Sequence, residues 1–184
     1  LNPYVFGLNN PLRYSDPTGT ILVSSFVIAG ALIGAALYGS YRSASYVFST
    51  PADCRTVGDF AIELGKGVLI GGTIGAISGA FAGMGAAVIG AGELGALGSF
   101  GVGALYGAGG GAGAGMAGST LGQLLDTGSV DLNEVARSGV IGAIAGGVTG
   151  GLGSGLLPYS ASMEFGIRVM ALAYYQSEIL GFWY

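Results

Sequence analysis

The chain has 184 residues, of which 39 are glycine, 51% are hydrophobic and only 9% are charged, and its formal net charge at pH 7 is -4. Soluble globular proteins carry about a quarter of charged residues, so this composition indicates a membrane protein. Six lysines and arginines are too few for the basic surface that binds nucleic acid. Because histidine is absent and cysteine occurs once, no His/Cys metal set, His-activated nucleophile or internal disulfide can form, and we expect no enzyme and no cofactor.

The first twenty residues contain a series of turn signals. Asn2-Pro3-Tyr4, Asn9-Asn10-Pro11 and Asp16-Pro17-Thr18-Gly19 occur in that order, and Asn-Pro and Asp-Pro pairs favour turns between short extended pieces. The pattern resembles the end of an Rhs/YD-repeat core domain, NPYxYGxNNPxxYxDPxGL, which precedes a variable C-terminal effector region. The residues that carry this resemblance most specifically are Asn10, Pro11, Asp16, Pro17 and Gly19.

The resemblance implies a bacterial polymorphic toxin with an upstream Rhs core cage and a cognate immunity protein. Residues 1–20 are then a remnant of the core, irregular or β in structure. In the family, paired aspartates are implicated in releasing the effector, but the earlier DPxG motif would lie before Leu1, and Thr20 replaces the usual leucine. A lone carboxylate cannot perform paired acid/base chemistry, so we expect Asp16 to cap its own turn without self-cleavage. Since Leu1 is not methionine, we expect a fragment or the product of a truncated gene.

The first membrane span is predicted at 21–41, an uncharged stretch about as long as the roughly 20 residues that cross a bilayer as a helix. Arg42, with Tyr41 and Tyr46, follows it as an interfacial anchor. The polar stretch 43–63 predicts a loop that leads into a short helix. Cys54 is interpreted as a small loop residue, and an exposed reactive thiol is the alternative.

Small residues recur at every fourth position from residue 67 onwards. On a helix with 3.6 residues per turn this spacing makes a slowly winding stripe along which two helices can approach closely, a glycine zipper. Each mid-helix glycine costs about 1 kcal/mol in water, but in hydrocarbon a helix is the favourable way to satisfy the backbone. The pattern therefore predicts spans at 67–92 and 94–118, with a flexible tether at 107–115 as the alternative. The glycines predicted to pack helices here are Gly67, Gly71, Gly75, Gly79, Gly83, Gly103 and Gly107.

Glu93 is the only charged residue between Lys66 and Asp126, and it falls between two predicted spans. We interpret it as a turn carboxylate in the headgroup region. The alternative is a carboxylate that faces a water-filled lumen and attracts cations.

The last span is predicted at 138–157, where the zipper spacing returns. Ser129 or Asp131 is expected to cap its helix, with Glu134 in the first turn and Pro158 after its end. The packing glycines predicted in this span are Gly142, Gly146 and Gly150. The tail 159–184 combines apolar residues with several aromatics and predicts an amphipathic helix at the membrane interface, although an ordinary packing helix fits equally well.

The sequence thus predicts a mainly α protein in three parts: a core remnant at 1–20, four glycine-zipper spans in hairpin pairs at 21–158, and an amphipathic helix at 159–184. We expect it to enter the inner membrane of a target bacterium, self-associate through its zippers and form or contribute to an ion-conducting pore. One alternative is a translocation or packing segment whose enzymatic domain is missing. Another is a degenerate Rhs fragment without activity.

Overall fold

The computed structural model describes residues 20–91 and 94–156, and this part of the chain forms four long helices. These are α1 (Thr20–Ser49), α2 (Val57–Ala91), α3 (Ala96–Thr127) and α4 (Leu132–Leu156), with one short 3-10 helix at Ala52–Cys54. The prediction of a mainly α protein is confirmed. The core-motif residues, Glu93 and the tail helix predicted at 159–184 lie outside the described residues.

The first two helices are longer than the sequence indicated. α1 continues to Ser49 and α2 begins at Val57, so the stretch 43–63, predicted as a loop that leads into a short helix, is outside these helices only over 50–56, and the helix that follows is long. The helix absorbs its polar residues because serine hydroxyls can donate to carbonyls of the preceding turn, as Ser40 does to Ala36 at 2.7 Å and Ser43 does to Gly39. At the start of α2, the Thr56 hydroxyl oxygen accepts the backbone N–H of Asp59 at 3.0 Å and caps the helix.

The connection between α3 and α4 is also short. α3 ends where Gly128 adopts a left-handed conformation with φ of 71°, and its N–H donates to the carbonyl of Leu124 at 3.2 Å. α4 starts after Asp131, whose Oδ1 accepts the N–H of Asn133 at 2.8 Å. Of the two capping residues predicted, Asp131 therefore performs this role, and Glu134 lies in the first turn as expected.

Consecutive helices run antiparallel and pack in chain order. Gly30 and Gly34 of α1 face Gly75 and Gly71 of α2, so residue numbers rise along one helix where they fall along the other. The facing glycines of α3 and α4 follow the same pattern. The two interhelical loops 50–56 and 128–131 therefore lie at one end of the bundle. Every charged residue of the described chain is at or near this end, which we call the charged end: Arg42, Asp53, Arg55, Asp59, Glu63, Lys66, Asp126, Asp131, Glu134 and Arg137.

The distribution of buried residues is the reverse of that in a water-soluble bundle. Within the described residues, Ile70 is the only large side chain that is fully buried, whereas most other buried positions are glycines. Large apolar side chains point outwards instead, with Ile28, Leu105 and Ile144 each more than 60% exposed. Such a continuous apolar exterior is unfavourable in water and suits hydrocarbon.

Three helices are long and apolar enough to cross a membrane, at Val23–Ser49, Val57–Ile89 and Leu132–Ser154. α3 is not among them, so the fourth span predicted at 94–118 is not confirmed. Its composition explains the difference, because 11 of its 32 residues are glycine, which adds length without hydrophobicity. α3 also packs against two neighbours, α2 on one side and α4 on the other.

Candidate functional site

The interface between α1 and α2, which we call the first seam, is formed by glycines from both helices. A Cβ on Gly34 would collide with the carbonyl oxygen of Gly71, and a Cβ on Gly75 would collide with that of Gly30. A Cβ on Gly67 would lie 2.8 Å from the Cα of Gly39, again closer than real side chains come. The two backbones are therefore in direct contact, as in close small-residue crossings of membrane helices. Farther along α2, Gly79 and Gly83 lie against the backbone of Phe26 and Val23.

The interface between α3 and α4, the second seam, repeats this construction. A Cβ on Gly107 would collide with the carbonyl oxygen of Gly146, and it would come within 3.1 Å of the Cα of Gly150. The remaining close pairs are Gly103 with Gly150, Gly111 with Gly142, and Gly115 with Ser138. At the end of the seam, the hydroxyl of Ser154 donates to the carbonyl of Ser99 at 2.7 Å.

The continuous ladder of the sequence thus serves two different partners. Its α2 portion faces α1, and its α3 portion faces α4. Residues 107–115 lie inside α3, which is contrary to the tether interpretation. On α1 the partner glycines were missed by the sequence analysis, although the spacing of Gly30 and Gly34 is itself a GxxxG signal.

The two helical hairpins meet along the central seam between α2 and α3. Here large side chains of α2 lie over glycines of α3. A Cβ on Gly110 would come within 2.9 Å of the Cβ of Phe81, and one on Gly113 within 3.2 Å of a methyl carbon of Ile77. At the end of this seam away from the charged end, the two helices exchange roles, and the side chain of Tyr106 on α3 covers Gly85 on α2. This seam joins side chains to backbone rather than backbone to backbone.

Four charged side chains from three helices meet near the charged end and form what we call the charge cluster. The guanidinium of Arg42 binds Asp126 through two bonds, Nη1 to Oδ2 at 2.9 Å and Nη2 to Oδ1 at 2.8 Å, and its Nε donates to Glu63 at 2.8 Å. Lys66 Nζ lies 2.9 Å from Asp126 Oδ1 and 3.1 Å from Glu63 Oε1. Two cations and two carboxylates thus balance each other.

Asp126 is the only member of the cluster that comes from the second hairpin. The hydrogen bond from Arg42 lowers the pKa of its carboxyl below the ordinary value, partial burial opposes this effect, and the hydrogen bond from Lys66 adds to it. The carboxyl therefore remains charged while both cations contact it. Bidentate guanidinium–carboxylate pairs of this kind are strong and directional.

The cluster marks the boundary between the charged end and the apolar body of the bundle. Beyond it the helices carry no charge over 20–41, 67–91, 96–125 and 138–156. At 1.5 Å rise per residue these stretches are about 28 to 45 Å long, which is close to or above the hydrocarbon thickness of about 30 Å. The cluster therefore lies at the depth expected for an interface between lipid and water.

The spacing of these residues in the sequence does not indicate the charge cluster. Arg42 was interpreted, with Tyr41 and Tyr46, as an interfacial anchor, and Glu63 was placed at the end of a stretch predicted as a loop that leads into a short helix. The three-residue spacing of Glu63 and Lys66 was a signal for a local pair, but Asp126 is 84 residues from Arg42 and 60 from Lys66, and only the packing of the helices brings it to them. Within residues 20–91 and 94–156, no group of three or more potential ligand side chains could hold a metal ion.

Comparison of the chain with protein-family models, curated proteins and solved structures found no significant match.

Proposed function

We propose that this chain is the membrane-inserting effector region of an Rhs-type bacterial toxin and that it makes the inner membrane of a target cell permeable to ions. The observation that carries the proposal is the inverted packing, with glycines inside and large apolar side chains outside along charge-free helices. A surface of this kind is costly in water and favourable in a bilayer. The assignment to an Rhs toxin comes from the resemblance of residues 1–20.

Insertion as four spans requires α3 to cross the membrane together with the three more apolar helices. Its neighbours support this, because α3 lies between α2 and α4 and shares its glycine-rich faces with them. A helix covered on two sides by protein needs less hydrophobicity of its own than one surrounded by lipid. In this proposal α3, like α2, is an inner span of the bundle.

Ion conduction requires a polar path, and within the described residues of one copy the first and second seams leave no room for one, because their backbones touch. In the proposed mechanism several copies assemble side by side, or the two hairpins of a copy move apart, so that water reaches the exposed carbonyls and hydroxyls between them. Side chains available for such a path include Thr73, Thr120 and Thr149, whose hydroxyls donate to their own helix backbone in the closed bundle.

A second candidate function is a non-conducting packing or translocation segment. The closed seams favour it, because a single copy packs its glycines without leaving room for side chains. In that case the bundle enters the membrane and holds or carries a neighbouring part of a longer toxin.

Reconstitution separates the two candidates. The full chain is incorporated into liposomes that hold a potassium diffusion potential, and a voltage-sensitive dye reports the potential as the protein-to-lipid ratio is raised. We expect the potential to collapse at ratios where the chain resists carbonate extraction. Stable insertion with an unchanged potential would refute the permeability proposal and support the packing segment, and a chain that stays soluble without lipid would refute both.

A further inference from the structure

The three seams differ in how firmly they can hold. In the first and second seams, backbone contacts backbone at Gly34 with Gly71 and at Gly107 with Gly146. No side chain there can move to fill a gap, and a gap of about 0.5–1 Å already forfeits a quarter to a half of the dispersion energy of the contact. In the central seam, side chains of α2 rest on glycines of α3: the terminal Cδ1 of Ile74 on Gly118, and the ring and Cβ of Phe81 on Gly109 and Gly110. Side chains can change rotamer as a gap opens, and the contact is lost gradually. Each hairpin is therefore a firmer unit than the pair of hairpins.

The charge cluster is a polar connection between the hairpins. Glu63, Lys66 and Arg42 all belong to the first hairpin, and Asp126 alone belongs to the second. If Asp126 is removed, the first hairpin keeps two cations and one carboxylate, which still contact each other. If the hairpins separate with Asp126 charged, both sides of the gap carry an uncompensated charge near the apolar boundary, which is unfavourable.

We propose that the two glycine-packed hairpins are rigid units that can separate along the central seam, and that the Asp126 contacts with Arg42 and Lys66 are the latch that holds them together at the charged end. Loss of the latch opens the bundle from this end and leaves both hairpins intact. The inference goes beyond the proposed function, since it requires the bundle to fold in lipid or detergent but does not require it to conduct ions.

Distances between the loops of the two hairpins test the latch. Cys54 is exposed in the first loop and is the only cysteine, so the substitution Ser129→Cys in the second loop creates a single pair for spin labels. Pulsed electron resonance on the full chain in nanodiscs then gives the distribution of distances at the charged end. We expect Asp126→Asn to shift this distribution to longer distances by several ångströms and to broaden it.

Glu63→Gln is the matched control, because it also removes one carboxylate from the cluster but leaves Asp126 in contact with both cations. We expect its distribution to match that of the parent. An unchanged distribution in Asp126→Asn, or equal broadening in the two variants, would overturn the proposal.

A second label pair distinguishes opening from unfolding. In a Cys54→Ser background, Leu97→Cys and Leu152→Cys place labels at exposed positions on the two helices of the second hairpin. We expect this distance to be the same with and without Asp126→Asn. A change here would show that the hairpin is not a rigid unit and would refute the proposal, whatever the loop distances show.

Discussion

At the scale of single residues, the fold depends on the absence of side chains. Gly34 and Gly71 place backbone on backbone, where weak Cα–H contacts to carbonyl oxygens and dispersion are gained together. In lipid this is decisive, because no hydrophobic effect operates between helices and close packing must supply the association energy. A glycine that faces a neighbouring helix and a glycine that faces outwards should therefore respond in opposite ways to substitution.

Leucine at Gly75 and Gly79 tests this difference. Both glycines abut backbone of α1, so the double variant should separate α1 from α2 and cost about 1–3 kcal/mol or more for each residue. Gly65 lies on the same helix, and a Cβ at this position would meet nothing within 4 Å, so Gly65→Leu is the control. Thermal stability in detergent and the depolarisation of liposomes should both decrease in the double variant and stay unchanged in Gly65→Leu, at equal membrane abundance. Equal stability of the two proteins would show that the seam is not the packing surface.

The charge on Asp126 predicts a pH dependence. Its pKa is lower in the folded bundle than in the unfolded chain, so its contribution to stability is fully present above the unfolded pKa of 3.8 and is lost as the pH falls through the lower folded pKa. The contacts that disappear are those to Arg42 on α1 and Lys66 on α2, with Glu63 next to both cations. The parent should lose thermal stability below about pH 4 more steeply than Asp126→Asn does. If thermal stability falls equally with pH in the parent and in Asp126→Asn, the charge on Asp126 does not stabilise the bundle.

At the scale of elements, local chemistry sets the helix ends at the charged end. Thr56 caps α2 and Asp131 caps α4, while Gly128 ends α3 in a conformation that other residues rarely adopt. In the body of each helix, glycines lower the helix propensity. The helix still forms because the neighbouring helix packs closely against these glycines. The effect of a glycine-to-alanine substitution on the stability of the bundle should therefore differ in sign between the end of α3 and its body.

Gly128→Ala and Gly122→Ala test this change of sign. Alanine at 128 must adopt the left-handed conformation and should destabilise the bundle by about 1 kcal/mol. Alanine at 122 meets nothing within 4 Å and should stabilise it by up to about 1 kcal/mol through helix propensity. Thermal unfolding of the two variants in the same detergent measures both effects. Unfolding temperatures that shift in the same direction in both variants would contradict this prediction.

At the scale of the whole molecule, the bundle is electrically asymmetric. The basic residues of the described chain, Arg42, Arg55, Lys66 and Arg137, are all on the side of the two loops at the charged end. Basic residues close to span ends favour the cytoplasmic side. If the bundle inserts as four spans, the charged end faces the cytoplasm, and the N-terminus of α1 and the C-terminus of α4 face the opposite compartment.

Labelling of Cys54 tests this orientation. The residue is exposed in the loop at the charged end, so a membrane-impermeant thiol reagent should fail to label it in intact cells and should label it in inverted vesicles. Permeabilised cells provide the positive control. Efficient labelling in intact cells would place the charged end outside and refute the topology.

The sequence by itself determined the helical character, three of the four predicted apolar spans and most of the glycines available for close packing, because these depend on local composition and on the helical period. It also placed the Asp131 cap at the start of α4 and the packing glycines on α2, α3 and α4, but not those on α1. It missed the length of α1, because the polar residues from Ser43 onwards indicated a loop, whereas the hydroxyl of Ser43 donates to the carbonyl of Gly39 within the helix.

Only the tertiary structure decided which glycines face which partner, and that one ladder is divided between α1 and α4. It alone assembled the charge cluster, since Arg42 and Asp126 are far apart in the chain and become neighbours only when both hairpins pack in antiparallel order. The physical reason is that a four-residue spacing specifies a face of a helix, whereas the partner of that face depends on contacts between segments distant in sequence.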